Sequence, residues 1–197
     1  ACTTSMMLRC TRPRAGIAAP LAWPLIPYMR WNLRTKRSVL AKASAIIAVS
    51  SVIAGDLRAR APELASQRIE TIPNPIDMAA LDAAHASAKR PLAEPYVLYA
   101  GKLAFNKGVQ YLLPAIERAG VRLPLVIVGD GPMRAEIESD ARRRHLDVRV
   151  MGWQPRDEVW AWMRHAAALA FPSYGPESLS RVLLEAAALG TPIAAML

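Results

Sequence analysis

The sequence predicts an α/β fold in which parallel strands are covered by helices on both faces. Three observations lead to it. From about residue 95 onward, short runs of continuous apolar residues such as "YVLYAG", "LPLVIVGD" and "AALAFPS" alternate with longer amphipathic stretches. Strands that are apolar throughout are buried on both faces, as in a parallel sheet between helical layers. The runs end at Gly, Pro, Asp or Ser, the residues that punctuate strand ends and helix starts. Of the 197 residues, 53% are hydrophobic, which is ample for a core and unlike a disordered chain.

Taken in order, "WNLRTKRSVLAKA" is basic and helix-compatible, and "SAIIAVS" reads as a short buried strand closed by a small polar residue. A helix is expected from Ser51 to Arg60. "RIETIPNPID" reads as a strand that stops at a Pro-Asn-Pro turn, because two prolines fix φ and remove backbone donors. Helical residues resume near Met78. "HASAKRPLAEP" is rich in Ala and Pro and separates two charge regimes, so an interdomain linker is expected at residues 87–94. Beyond it come strand "YVLYAG", helix "GVQYLLPAIERAG", strand "LPLVIVGD", a helix from Met133 to His145, and strand "VRVMGW". Helix "RDEVWAWMRHA", strand "AALAFPS", a helix around Glu185 and a last strand in "TPIAAML" complete the series.

Charge is divided unevenly. The net charge is +9, and residues 1–60 carry ten basic side chains against Asp56 alone, while residues 61–197 carry fifteen of each sign. Such a block suits an anionic partner, whether a phospholipid surface, an acidic acceptor or nucleic acid, or else is a solvated basic face. For nucleic acid the region lacks both a recognition motif and repeated aromatics on a strand platform, so that partner is not expected. "WPLIPYMRWNLRTKR", with Trp23, Tyr28 and Trp31, suits an anionic membrane surface, and residues 9–42 are the segment assigned to it. "GIAAPLAWPLIP" follows Arg9, Arg12 and Arg14 in the manner of a signal peptide. Its prolines break a helix, and a bilayer span needs roughly 20 apolar residues.

Cys2 and Cys10 form neither a disulfide framework nor a zinc site, which fits a reducing cytoplasm. His85, His145 and His165 lack the i, i+4 spacing of paired ligands, so no metal is expected. The chain begins mid-pattern and stops in an apolar run, and it reads as a fragment of a longer protein.

Parallel sheets bind ligands at the carboxyl ends of their strands, so the chemistry is sought in the loops that follow them. "GKLAFNKG" places Lys102 and Lys107 beside a helix start, where two ammonium groups and unpaired N–H groups suit a diphosphate. A solvated lysine pair is the alternative. "VGDGPM" has the spacing of Gly129 and Gly131 found in dinucleotide sites, but Arg134 stands where a third glycine belongs. It reads instead as a tight strand-to-helix turn, with Pro132 at the first helical position. In "MGWQP", Gly152 permits close approach and Trp153 offers a face to a nucleobase, or else a core ring. In "FPSYGPES", Pro172, Gly175 and Pro176 stop the strand, which puts Glu177 at or just before a helix start. Glu185 would then lie about 12 Å farther along and about 80° around that helix. This separation suits a long ligand with hydroxyls at both ends, since carboxylates accept hydrogen bonds from vicinal hydroxyls. As the plainer alternative, Glu177 is a favourable charge at a helix start. Glu185 sits in "VLLEAAALG", where an unpaired carboxylate would be costly.

These pieces, "AVS", "IPNPID", "GKLAFNKG", "VGDGP", "MGWQP" and "FPSYGPESLSRVLLEAAALGTP" with its E-x7-E, run in that order over residues 38–197. Together they resemble the retaining glycosyltransferases of family 4, which have the GT-B fold of two facing Rossmann-like domains. The resemblance implies that residues 1–86 end an acceptor-side domain and that residues 95–197 form a donor-binding domain, both incomplete. It implies transfer of a sugar from a nucleoside diphosphate sugar to a glycan or lipid-linked acceptor with retention of configuration. The donor would be a co-substrate, with no further cofactor and no metal, and the protein would be cytoplasmic or peripheral at the membrane's inner face. Lys102 and Lys107 would bind the diphosphate, and Glu177 the sugar hydroxyls. Gly101, the main chain at Trp153, the amides of Ser178, Leu179, Ser180 and Arg181, and the Glu185 carboxylate on the ribose would complete donor binding. Lys102 stands where the family frequently has Arg, and Ser178 and Ser180 where it commonly has Gly. The competing expectations are a non-catalytic basic module for membranes or nucleic acid, and a sugar-nucleotide epimerase on the same fold.

Overall fold

The computed structural model describes residues 25–64, 66–87, 89–174 and 177–196. Cys2, Cys10, Arg9, Arg12, Arg14, Trp23, Gly175 and Pro176, invoked above, lie outside the described residues. The chain divides into two compact units between Asn74 and Pro75.

In the first unit the basic stretch forms helix α1, Leu25–Leu40. Strand β1, Ile46–Ala48, pairs in parallel with β2, Ile69–Thr71, across the intervening helix α2, Ser51–Arg60. Ser50 caps α2, its hydroxyl accepting from the Ile53 N–H at 3.3 Å, so the small polar residue after β1 also starts the helix. Ile46, Ala48, Ala54, Leu64 and Ile69 form its core. On α1, Tyr28 is 57% and Trp31 63% exposed.

The second unit begins with helix α3, Met78–Ser87. Its sheet holds β3 (Val97–Ala100), β4 (Leu125–Val128), β5 (Val148–Gly152), β6 (Ala168–Phe171) and β7 (Ile193–Ala195). All pairings are parallel, in the order β5-β4-β3-β6-β7. Between the strands run α4 (Leu112–Arg118), α5 (Arg134–Arg144), α6 (Arg156–His165) and α7 (Arg181–Ala188). The period-two alternation of the strands feeds two cores. Leu98, Ala100, Val126 and Leu169 pack with Met163 and Ala186 on one face. Tyr99, Leu125 and Ile127 pack with Leu113, Ile116 and Ile137 on the other. Thr191 of the Gly-Thr-Pro is buried, its hydroxyl donating to the Met163 carbonyl at 2.9 Å, which ties the turn after α7 to the end of α6.

Four boundaries differ from expectation. The unit division falls ahead of the linker expected at 87–94, because α3 buries Leu81 in the second unit's core. The helix expected over "GVQYLLPAIERAG" starts only at Leu112, since Gly108 is left-handed and 3₁₀ turns occupy Phe105–Lys107 and Val109–Tyr111. Pro132 precedes α5 rather than opening it. Glu177 is not at a helix start: α7 begins at Arg181, and residues 177–180 are a non-helical approach to it. The helical distance and rotation expected between Glu177 and Glu185 therefore do not apply.

Candidate donor-binding site

All five strands of the second unit run the same way, so the loops after β3, β4, β5 and β6 share one edge. From β3 the chain moves outward to β4 and β5, then returns to place β6 on the other side of β3. At such a reversal the two neighbouring crossovers diverge and leave a crevice, where open α/β sheets bind their ligands.

The loops after β3 and β6 meet at that reversal. Gly108 has φ +72°, and a Cβ on it would lie 1.9 Å from the Pro172 carbonyl oxygen, so no larger residue permits this approach. Next to it, Lys107 Nζ donates to Glu177 Oε1, which also accepts from Ser173 Oγ at 2.8 Å. Burial pushes the Glu177 carboxyl up, but the hydrogen bonds from Lys107 and Ser173 and the ammonium charge together hold it below the usual carboxylate range. Tyr99 is pushed above the ordinary phenol range, by burial first and by the Glu177 charge second. It stays protonated and donates to the Lys102 carbonyl at 2.9 Å, fixing the backbone from which Lys102 projects. Tyr174 sets its ring edgewise to Phe105 and Tyr111, with centroids 6.4 and 5.6 Å away, and so joins the same two loops.

A cleft of about 430 Å³ is lined by Gly101, Lys102, Gly129, Trp153, Val159 and Val182 among others. A Cβ on Gly129 would lie 1.9 Å from the Gly101 carbonyl oxygen, and one on Gly131 would lie 2.3 Å from that of Leu103. The glycines of "VGDGPM" thus serve close packing of the loops after β3 and β4. Trp153 is 77% exposed and is not a core ring. Val182 belongs to the first turn of α7, where unpaired N–H groups and the helix dipole favour an anion. Ser178, Leu179 and Ser180 lead into that turn, and the Ser180 side chain makes no cap bond. The cleft can thus offer an anion an ammonium and a helix start, and a planar base the Trp153 ring.

Glu185 is 6% exposed and is paired: Arg156 reaches its Oε1 through Nη2 at 2.8 Å and Nε at 3.2 Å. Arg181 Nη2 stands 3.7 Å from the same oxygen. Arg156 also stacks over Trp160, 4.7 Å from the ring centroid. The structure therefore joins Lys107 to Glu177, groups Gly101, Lys102 and Trp153 around the cleft, and turns Glu185 to arginines. Arg156 was missed from sequence, although a signal existed. It is the first residue of α6, a basic side chain at the positive end of a helix, and such a charge calls for a carboxylate partner.

The family profile described as "Glycosyl transferases group 1" matches residues 82–196. The chain belongs to that family. Among curated relatives of this group 1 chain, the 2-deoxystreptamine glucosyltransferase of Streptomyces kanamyceticus is 29% identical over 179 residues, covering 84% of this chain and 44% of its own. The D-inositol 3-phosphate glycosyltransferase of Xylanimonas cellulosilytica is 28% identical over 219 residues, covering 92% and 52%. The chain spans about half the length of these relatives. Among solved structures, sucrose-phosphate synthase from Thermosynechococcus elongatus superposes with a TM-score of 0.70 at 27% identity, covering 84% of this chain and 44% of that one. Anabaena Alr3699/HepE, solved with UDP-glucose, gives 0.67 at 23% identity over 83% and 48%, a likeness of fold. The expected α/β architecture of GT-B type is the one found.

Proposed function

We propose that this chain carries the donor-binding domain of a retaining family 4 glycosyltransferase, with the E-x7-E of Glu177 and Glu185 as its signature. The observation that carries the reading is the ion pair of Lys107 and Glu177, held at the strand-order reversal by the approach of Gly108 to Pro172. The ammonium has three donors, so its bond to Glu177 leaves two for a diphosphate. Glu177, kept ionised by this neighbour, accepts hydrogen bonds from sugar hydroxyls. Lys102 and the first turn of α7 add positive potential at the cleft, and Trp153 flanks the base.

In the reaction the bond from the anomeric carbon to the diphosphate oxygen breaks and a bond to an acceptor hydroxyl oxygen forms. The hydroxyl proton leaves with the diphosphate. Negative charge develops on that leaving group, and fixed cations and amides stabilise it without reorganising, so the reading calls on no metal. The named relatives are sugar transferases, which favours transfer over a non-catalytic basic module or an epimerase. The acceptor is a glycan or lipid-linked sugar, and helix α1, with exposed Tyr28 and Trp31 among arginines, rests on an anionic inner membrane face.

Lys107→Ala in the full-length protein tests the assignment. Loss of one preorganised cation costs about 2.7–4 kcal/mol of barrier, or roughly 10²–10³ in rate. Sugar transfer, followed with UDP-, GDP- and ADP-sugars, should fall by that factor while the variant stays folded. Turnover near that of the wild type would remove the lysine from the mechanism.

A further inference from the structure

Glu185 is nearly sealed, yet its contacts all fall on one oxygen. Arg156 takes Oε1 through two nitrogens at 2.8 and 3.2 Å, and Arg181 approaches the same atom at 3.7 Å. Among the described residues no hydrogen bond reaches Oε2. Arg156 is itself restrained, because its guanidinium lies over the ring of the buried Trp160. A planar fork stacked on a fixed ring loses little freedom on binding and sets its partner's orientation more strictly than an ammonium could. The two helices involved both line the cleft: Val182 lies three residues before Glu185 on α7, and Val159 three residues after Arg156 on α6.

We propose that Arg156 is a positioning residue for nucleotide recognition: by holding Oε1 of Glu185, it leaves Oε2 as a fixed acceptor for the vicinal hydroxyls of the donor's ribose. This rests on the reading of Glu185 as the ribose-binding carboxylate. Arg156 touches neither sugar nor phosphate, and it acts through Glu185. A carboxylate freed of its guanidinium would rotate, and the hydroxyls would lose a directed, charged acceptor.

The test separates this role from a structural one by removing the hydroxyls rather than the protein groups alone. Full-length wild type and the variants Arg156→Gln, Arg156→Lys and Glu185→Gln are titrated calorimetrically with UDP, GDP and ADP. The tightest binder is then compared with its 2′,3′-dideoxy analogue. The wild type should prefer the ribonucleotide by about tenfold or more, the size expected of hydrogen bonds to a charged acceptor. Arg156→Gln and Glu185→Gln should abolish that preference by weakening the ribonucleotide alone. Arg156→Lys keeps the charge without the fork and should retain only part of it.

Equal weakening of both ligands by Arg156→Gln, or an undiminished preference, overturns the proposal. If Glu185→Gln loses the preference and Arg156→Gln keeps it, the arginine assignment falls and the ribose reading stands. A wild type that does not distinguish the two ligands overturns both. Should Arg156→Gln fail to fold by circular dichroism, Arg156→Lys decides: a reduced preference supports the role and a full one refutes it.

Discussion

Gly108→Ala probes the join on which the site depends. The added Cβ would stand 1.9 Å from the Pro172 carbonyl oxygen, where real Cβ contacts are not found below 3.0 Å, so the two loops must part by about 1.1 Å. The obstructing atom is backbone at the end of β6 and cannot swing aside as a side chain would. Holding alanine at φ +72° costs about 1–2 kcal/mol, and overpacking adds about 1–3 kcal/mol, for a loss of about 2–5 kcal/mol. Gly120→Ala is the control, because Gly120 has φ +63° with nothing within 4 Å of its Cβ, and it bears only the about 1–2 kcal/mol of backbone strain. Urea denaturation of both variants gives the difference, which is the cost of the close approach. Lys107 is the neighbouring residue, so parting the loops also separates it from Glu177, and an ångström of misplacement lowers turnover by about 10²-fold. A Gly108→Ala protein no less stable than Gly120→Ala, with turnover unchanged, would refute the claim that this contact builds the site.

Three further outcomes are expected. The Glu177 pKa is depressed in the folded protein, so its ion pair contributes stability in full above the unfolded carboxylate value of about 4.3 and loses it as pH falls through the lower folded value. The stability gap between wild type and Glu177→Gln, measured in urea, should therefore be open at neutral pH and close under acid conditions. Trp153→Ala should weaken nucleoside diphosphate binding by roughly 5–150-fold, the worth of about 1–3 kcal/mol of base stacking, while the melting temperature stays put because the ring is exposed. In liposome flotation the full-length protein should rise with anionic and not with neutral vesicles, each basic residue near the surface adding about 1 kcal/mol, and equal recovery would remove the electrostatic basis of membrane contact.

The sheet was legible because its strands are apolar without interruption, and burial on both faces leaves that trace in sequence. Helix α2 was legible because Ser50 caps it and no glycine or proline at its start blurs the boundary. The start of α4 was hidden, since a left-handed glycine and two 3₁₀ turns do not alter composition. Residues 177–180 are chemically compatible with a first turn, and only the backbone reveals that α7 begins at Arg181. Lys107 and Glu177 were each found from sequence, but their bond joins residues seventy apart and depends on strand order.

The arginines at helix starts follow a physical logic that binds the site together. Arg134, Arg156 and Arg181 are the first residues of α5, α6 and α7, the end at which the helix dipole disfavours a cation. Arg134 is compensated locally by Asp130 and Glu138 at 3.1 and 2.9 Å. Arg156 and Arg181 instead converge on the single carboxylate of Glu185. One carboxylate thus holds two guanidiniums, while Asp157 and Glu158 answer the start of α6, Lys107 is matched by Glu177, and Lys102 and Asp130 both line the cleft. Among the described residues the first turn of α7 holds no acidic side chain, so Glu185 is the carboxylate that answers both Arg181 and the positive end of that helix. On the donor-binding reading proposed above, that helix end and Lys102 are where an anionic nucleotide would meet favourable potential.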